Sequence, residues 1–346
     1  MWLFPLLLFL PTLGLAADCF SAQITAGGVY NCDDLVVDAP INLTGAGGPV
    51  VEINVSGTTQ INASITLDGA SGVTVTAVTA PGAAAGPGGW DGGGISLGTT
   101  EDGGGPLNVS TANGKTTTDD LTCGNGGGGA GFTQAGANGR ICPTTTDPTA
   151  IGIGGTVVPN TDFDFGAAFR GGFGGGAGAY STPLEIGTGG GGGGALRINS
   201  TGNVLIRQNV RISARGGNGG NAAGVGGAGG AGSGGAIWIQ SAGKITNYGI
   251  LDVRGGTGGT NSSSGASGGN AGAGVFRLQD GAGLLVSGSG VRDFNLPASL
   301  DSDISCGTVA PREEKSDHPL TFTLGFALSL ILAASLRILF RAPGKA

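Results

Sequence analysis

The sequence predicts an all-β fold: a parallel β-helix-like solenoid with glycine-rich polyproline-II-type excursions, followed by one C-terminal transmembrane helix. Three observations predict it. Short strand patterns recur at a nearly fixed spacing, long glycine runs separate them, and one uncharged apolar stretch stands near the C-terminus.

The strand patterns come first. Four segments read apolar, any, apolar, amide: Val51-Glu52-Ile53-Asn54, Leu196-Arg197-Ile198-Asn199, Ile237-Trp238-Ile239-Gln240 and Phe276-Arg277-Leu278-Gln279. Period-two alternation sends the apolar pair to one face and Glu52, Arg197, Trp238 and Arg277 to the other. Asn199 and Gln240 are 41 residues apart, and Gln240 and Gln279 are 39 apart. A second strand follows three of the four: Ile65-Thr66-Leu67, Ile212-Ser213-Ala214 and Leu251-Asp252-Val253, again with the polar residue outward. One apolar pair per strand cannot enclose a core, so the units must stack to bury a continuous column. Stacking also aligns Asn54, Asn199, Gln240 and Gln279 as an amide ladder.

The glycine runs account for most of the 77 Gly among 346 residues. Residues 216–233 divide into the triplets GGN, GGN, AAG, VGG, AGG and AGS. A period of three is that of polyproline II, which has no internal hydrogen bonds. Isolated, such a run stays flexible; side by side, runs can hydrogen-bond to one another, and the sequence leaves both outcomes open.

The apolar stretch 320–336 carries no charge, and extending it to 340 gives 21 residues, enough to cross about 30 Å of hydrocarbon. Glu313, Glu314 and Asp317 precede it and Arg341 and Lys345 follow it, so the positive-inside rule places the tail in the cytoplasm. At the other end, the apolar run 3–10 followed by Ala16 and Ala17 reads as a signal peptide. The expected location is therefore secreted and membrane-anchored, with the bulk of the chain extracellular or periplasmic.

The expected organisation is a signal peptide (1–17), a disulfide-tied cap (18–49), a first repeat (50–97) and an insert (98–193). Glycine-rich repeats (194–292), an acidic stalk (293–319), the membrane span (320–340) and a cytoplasmic tail (341–346) follow. In an exported chain the cysteines are disulfide candidates, and proximity suggests Cys19 with Cys32 and Cys123 with Cys142, leaving Cys306 over. The insert holds Phe132, Phe163, Phe165, Phe169, Phe173 and Tyr180, suited either to a small packed subdomain or to a contact loop.

Charge divides along the chain. Residues 18–194 hold 15 acidic and 3 basic residues, whereas 195–292 hold 8 basic and 2 acidic ones. Such asymmetry can mark an anionic partner. The candidate ligand-binding residues are Arg197, Arg215, Trp238, Arg254 and Arg277: Arg pairs with sugar carboxylates or phosphates, and an exposed Trp offers a stacking surface. A solubilising outer face is the plainer reading of the same residues.

Catalysis has little to work with. The single His, His318, stands beside the span, so the folded part holds no Ser-His-Asp or Cys-His arrangement and no His-ligated zinc. The acidic pairs Asp33-Asp34, Glu101-Asp102, Asp119-Asp120 and Asp162 with Asp164 sit at turn-like positions. No run ends as a phosphate-binding loop does. The expectation is no enzyme, no catalytic residue, no metal, no cofactor and no nucleic acid.

The GGNGG, GGAGG and GGTGG runs alternating with strands such as Ala236-Ile237-Trp238-Ile239 resemble glycine-rich repeats of bacterial surface proteins, autotransporter-like adhesins and mycobacterial glycine-rich cell-wall proteins. The resemblance covers roughly residues 50–97 and 188–290 and is compositional. It implies surface display and adhesion and carries no catalytic residue over; with the basic face, the expected partner is an anionic glycan or another cell surface. Two alternatives stand beside it: a β-helix enzyme or binding module acting on anionic polysaccharide, which needs converging carboxylates, and a glycine-helix ice or glycan binder, which needs regular Thr, Ser or Asn rows.

Overall fold

The computed structural model describes residues 17–77, 79–96, 99–105, 114–115, 123–144, 151–158, 169–179, 185–281, 283 and 285–294. The chain divides into two compact units, Met1–Thr308 and Val309–Ala346, and every described residue belongs to the first. The signal segment up to residue 16, the stalk beyond 294, the span 320–340, the tail 341–346, Cys306 and His318 lie outside the described residues.

Alternating apolar residues make short strands, and Gly, Asn and Ser make the corners between them. The first coil holds β1 (Ala17–Phe20), β2 (Gly28–Val37) and β3 (Ile41–Asn42). The second holds β4 (Val51–Val55), β5 (Thr59–Ile61) and β6 (Ile65–Thr66). Four two-residue strands follow: β7 (Thr74–Val75), β8 (Ile95–Ser96), β9 (Thr99–Thr100) and β10 (Ile186–Gly187). The next coils are β11 (Ala195–Ser200), β12 (Val204–Ile206) and β13 (Arg211–Ser213), then β14 (Ala236–Ser241), β15 (Ile245–Asn247) and β16 (Ile250–Val253). The last described strands are β17 (Val275–Asp280), β18 (Leu285–Gly288) and β19 (Gly290–Asp293).

Equivalent strands of successive coils lie parallel and in register. Val51, Leu196, Ile237 and Phe276 face one another across β4, β11, β14 and β17, as do Ile53, Ile198, Ile239 and Leu278. Ile41, Ile65, Ile212 and Leu251 form the matching column across β3, β6, β13 and β16. These columns meet in a single apolar cluster with almost no solvent exposure, as the stacking argument requires.

The expected combination of a β-helix-like solenoid and a transmembrane helix is corrected on two points, although strands do dominate. First, among the described residues no helix is long and apolar enough to cross a membrane, and the one helical element is a 3-10 turn at Ser21–Gln23. Second, the sheets are not the separate parallel ladders of a uniform coil. One sheet has ten strands in the order β15-β12-β5-β2-β4-β11-β14-β17-β18, with β1 beside β2, and it curls into a half-barrel. The physical reason lies in β2. Its ten residues run on through the position where the later coils turn, so Asn31 pairs opposite Asn54 in β4 while Leu35 pairs opposite Thr59 in β5. That one strand joins two ladders. The second sheet, β19-β16-β13-β6-β3, has five strands. The last coil also reverses: β18 pairs antiparallel with β17, and β19 with β16, covering edges that would otherwise be open to another chain.

The glycine runs are ordered against one another. Within 186–194, the N–H groups of Gly187, Gly190 and Gly193 donate to Gly227, Gly230 and Ser233 at 3.0, 2.9 and 2.9 Å. Those of Gly189 and Gly192 donate to Gly93 and Trp90, and those of Gly191 and Gly194 to Ala70 and Leu67. Every third residue thus faces the same neighbour, and the run has three neighbours. The insert joins this bundle. Gly124, Gly127 and Ala130 donate to Val225, Ala228 and Ala231, and Gly176 donates to Gly128. Phe132 and Phe173 are buried with Ala130 and Val158 among the runs, and the Trp90 ring stacks on Phe173 at 5.2 Å. Both expected disulfides are present, Cys19–Cys32 and Cys123–Cys142.

Two substitutions test this packing. A Cβ at Gly230 would stand 1.9 Å from the Gly128 carbonyl oxygen. Gly230→Ala therefore forces two runs apart, and urea denaturation should show a loss of about 1–3 kcal/mol. Thr59 is 1% exposed on the inner face of β5, and its Oγ1 has no hydrogen-bond partner among the described residues. Thr59→Val removes that buried hydroxyl and should raise stability by about 1 kcal/mol; a loss on the same assay would show that the hydroxyl is satisfied.

Candidate functional site

The outward residues of β4, β11, β14 and β17 stand in register, so Glu52, Arg197, Trp238 and Arg277 form one row. The Arg197 guanidinium lies 4.4 Å from the Trp238 ring centroid and that of Arg277 lies 5.9 Å away. Arg197 also approaches Glu52 at 3.9 Å and donates from Nε to Asn199 Oδ1 at 3.2 Å. The row is thus brought together as the register predicts, but Trp238 is no open stacking surface. It is 8% exposed, and Phe169 from the insert packs beside it at 6.3 Å. Long-range packing by a segment more than sixty residues upstream covers it, and the strand pattern carries no sign of that.

Arg215 and Arg254 belong to a second group, around a residue that the alternation placed outward. Asp252, in the middle of β16, is fully buried. Arg211 Nη1 donates to its Oδ2 at 2.6 Å, and Arg254 donates from Nε to Oδ1 at 2.9 Å and from Nη2 to Oδ2 at 2.8 Å. Arg215 Nε stands 3.9 Å from the same carboxylate, beyond hydrogen-bond reach. Burial pushes the Asp252 carboxyl up, but the hydrogen bonds and charge of Arg254, with the charge of Arg215, outweigh it and hold the group below its ordinary value. The hydrogen bond to Asp252 correspondingly raises Arg254 against the opposing effect of its burial. Three arginine side chains, each a little under half exposed, therefore surround one buried anion.

Beyond these arginines the bundle face is regular. Residues 68, 71 and 74, then 215, 218 and 221, then 254, 257 and 260 advance by three along neighbouring runs, and all are exposed or half-buried. Asn218 Oδ1 accepts from the backbone N–H and the hydroxyl of Thr257 at 2.9 and 3.0 Å. Asn221 does the same for Thr260 at 2.9 and 3.1 Å. Asp68 Oδ1 accepts from the Arg215 N–H at 2.7 Å. The result is an arginine edge followed by one row of Ser71, Asn218 and Thr257 and another of Thr74, Asn221 and Thr260. Rows along a run stand about 9 Å apart at about 3 Å per residue.

The remaining carboxylates are distributed rather than gathered. Asp33 accepts from Ser56 Oγ at 3.2 Å. Asp34 accepts from the backbone N–H and the hydroxyl of Thr58, the former chiefly lowering its pKa. Asp102 pairs with Lys115 at 3.2 Å. Asp119, Asp120, Asp162 and Asp164 lie outside the described residues. Among the described residues no group of three or more His, Cys, Asp or Glu could hold a metal ion.

No family model, curated protein or solved structure matches the chain.

The Asp252 cluster makes a pH-dependent prediction. The folded pKa is lowered, so the stability this carboxylate contributes is complete above its ordinary value of 3.8 and is lost as pH falls through the lower folded value. Asp252→Asn leaves three guanidiniums without their anion and should cost about 3 kcal/mol at neutral pH, the low end for a broken buried pair because the arginines are partly solvated. Denaturation followed from neutral to acid pH should show the gap between the two proteins narrowing at the acid end.

Proposed function

We propose that this chain is an exported structural or adhesive protein that holds anionic glycans, or a cell surface carrying them, on the arginine edge and polar rows of its glycine bundle. The observation that carries this reading is the gathering of Arg211, Arg215 and Arg254 around Asp252, bordered by hydroxyl and amide rows. With Asp68 included, three positive charges face two negative ones. Guanidinium forks pair with carboxylate and sulfate oxygens, and hydroxyls and amides serve the ring oxygens and hydroxyls of a sugar. The two disulfides fit a protein that works in an oxidising compartment. The resemblance to glycine-rich surface repeats points the same way.

Arg215 is the member least tied to Asp252, so Arg215→Ala can remove a ligand contact while leaving the cluster in place. On a panel of acidic and neutral glycans, the chain should bind acidic ones, more weakly as salt rises. Arg215→Ala should weaken that binding about tenfold or more, and circular dichroism should show the fold kept. Binding that ignores both salt and Arg215→Ala contradicts the proposal, and release of sugar fragments would make the chain an enzyme. The regular Ser, Asn and Thr rows favour a second reading, an ice-binding face; thermal hysteresis without glycan binding would select it.

A further inference from the structure

A different part of the molecule carries a second regular polar surface. Asn31, Asn54, Asn199, Gln240 and Gln279 stand opposite one another on five successive strands, β2, β4, β11, β14 and β17. The rungs are just under 5 Å apart, so the column is about 19 Å long. It lines an open groove of about 720 Å³, edged by corner residues such as Ser56, Thr201 and Ala242. That volume is within the range of small-ligand sites.

The column is pre-organised at one end and open at the other. Asn54 Nδ2 donates to Asn31 Oδ1 at 3.2 Å, and Asn199 Nδ2 donates to Asn54 Oδ1 at 2.8 Å. Arg197 holds Asn199 from the side. Gln240 and Gln279 are half-buried, line the groove, and make no side-chain hydrogen bond among the described residues. Each brings two donors and an acceptor with two lone pairs. Among the described residues the lining holds one charge of each sign, Arg197 and Asp280; Arg197 also approaches Glu52 at 3.9 Å, and Asp280 accepts from the Ile245 N–H at 3.0 Å.

We infer that this groove binds an extended, uncharged polysaccharide chain. Amides that both donate and accept match hydroxyls that do the same. Repetition at every rung suits a polymer rather than a single sugar, and charge balance disfavours an ionic ligand. An extended peptide would need the free backbone of a strand edge, whereas the column stands on strands whose two sides are paired. This groove differs from the bundle face in surface, in ligand class and in the salt dependence expected of its binding.

The test uses the full chain and soluble neutral glucan, xylan and mannan oligosaccharides, with binding followed by calorimetry at low and high salt. The expected result is affinity that rises with oligosaccharide length and changes less than about twofold with salt. Gln240→Ala with Gln279→Ala should weaken it about tenfold or more, and Arg215→Ala should leave it unchanged. Neither glutamine side chain is hydrogen-bonded among the described residues, so this double variant keeps its fold, which the thermal midpoint verifies. No binding of any neutral oligosaccharide overturns the inference, as does binding that salt and Arg215→Ala abolish. Failure here with acidic-glycan binding intact leaves the bundle-face reading standing, and the reverse outcome separates the two equally well.

Discussion

At Gly190 an added Cβ would stand 2.3 Å from the Gly217 carbonyl oxygen, and at Gly187 it would stand 2.0 Å from that of Gly220. This close approach of backbone to backbone is the constraint on which the rest of the structure depends. It lets N–H groups of one run reach carbonyls of three others at hydrogen-bond distance, which no residue with a side chain at those positions permits. Ordering a residue costs about 1–2 kcal/mol, and a net hydrogen bond returns about 0.5–1.5 kcal/mol, so a run is not self-sustaining. The strands supply what is missing. The run 216–235 begins just after β13 and ends at β14, and 254–274 lies between β16 and β17, so the apolar columns fix the ends of both. The curled sheet and the bundle are therefore mutually dependent, and damage to either should loosen both.

The polar surfaces inherit their regularity from this arrangement. In-register strands repeat the amide column at every rung, and three-residue turns repeat Asn, Ser and Thr at every turn of the runs. Charge is handled locally. Asp252 is buried without strain on the electrostatics because Arg211 from β13 and Arg215 and Arg254 from the adjoining runs converge on it. The same convergence leaves an excess of guanidinium at the edge of the bundle. Two faces result: one basic and bordered by hydroxyls, the other neutral and lined by amides.

The strands were legible because a period of two with one apolar pair is a local signal: the four aligned segments pair in the register that their alignment implies. The half-barrel was not, because nothing in the ten residues of β2 marks them as one strand rather than two with a corner. The place of the insert was hidden for a different reason. Backbone hydrogen bonds leave no side-chain signature, and one glycine run reads much like another, so the pairing of 124–130 with 225–231 is not encoded locally. Two site residues were misplaced by the same alternation that found the strands. It put Trp238 and Asp252 outward, correctly for the backbone, but Phe169 covers the first and three arginines bury the second. Neighbours that arrive from distant sequence decide exposure, and the alternation cannot report them.

The claim that the glycine runs form an ordered, hydrogen-bonded bundle is tested most directly by amide hydrogen exchange resolved to single glycines. The account predicts strong protection at Gly187, Gly190 and Gly193, whose N–H groups donate to the 227–233 run, and fast exchange at the exposed turn glycine Gly224. Exchange at random-coil rates throughout 186–194, with the strands still protected, would contradict it: the runs would then be loops hung on a sheet, and the polar rows would have no fixed geometry with which to bind.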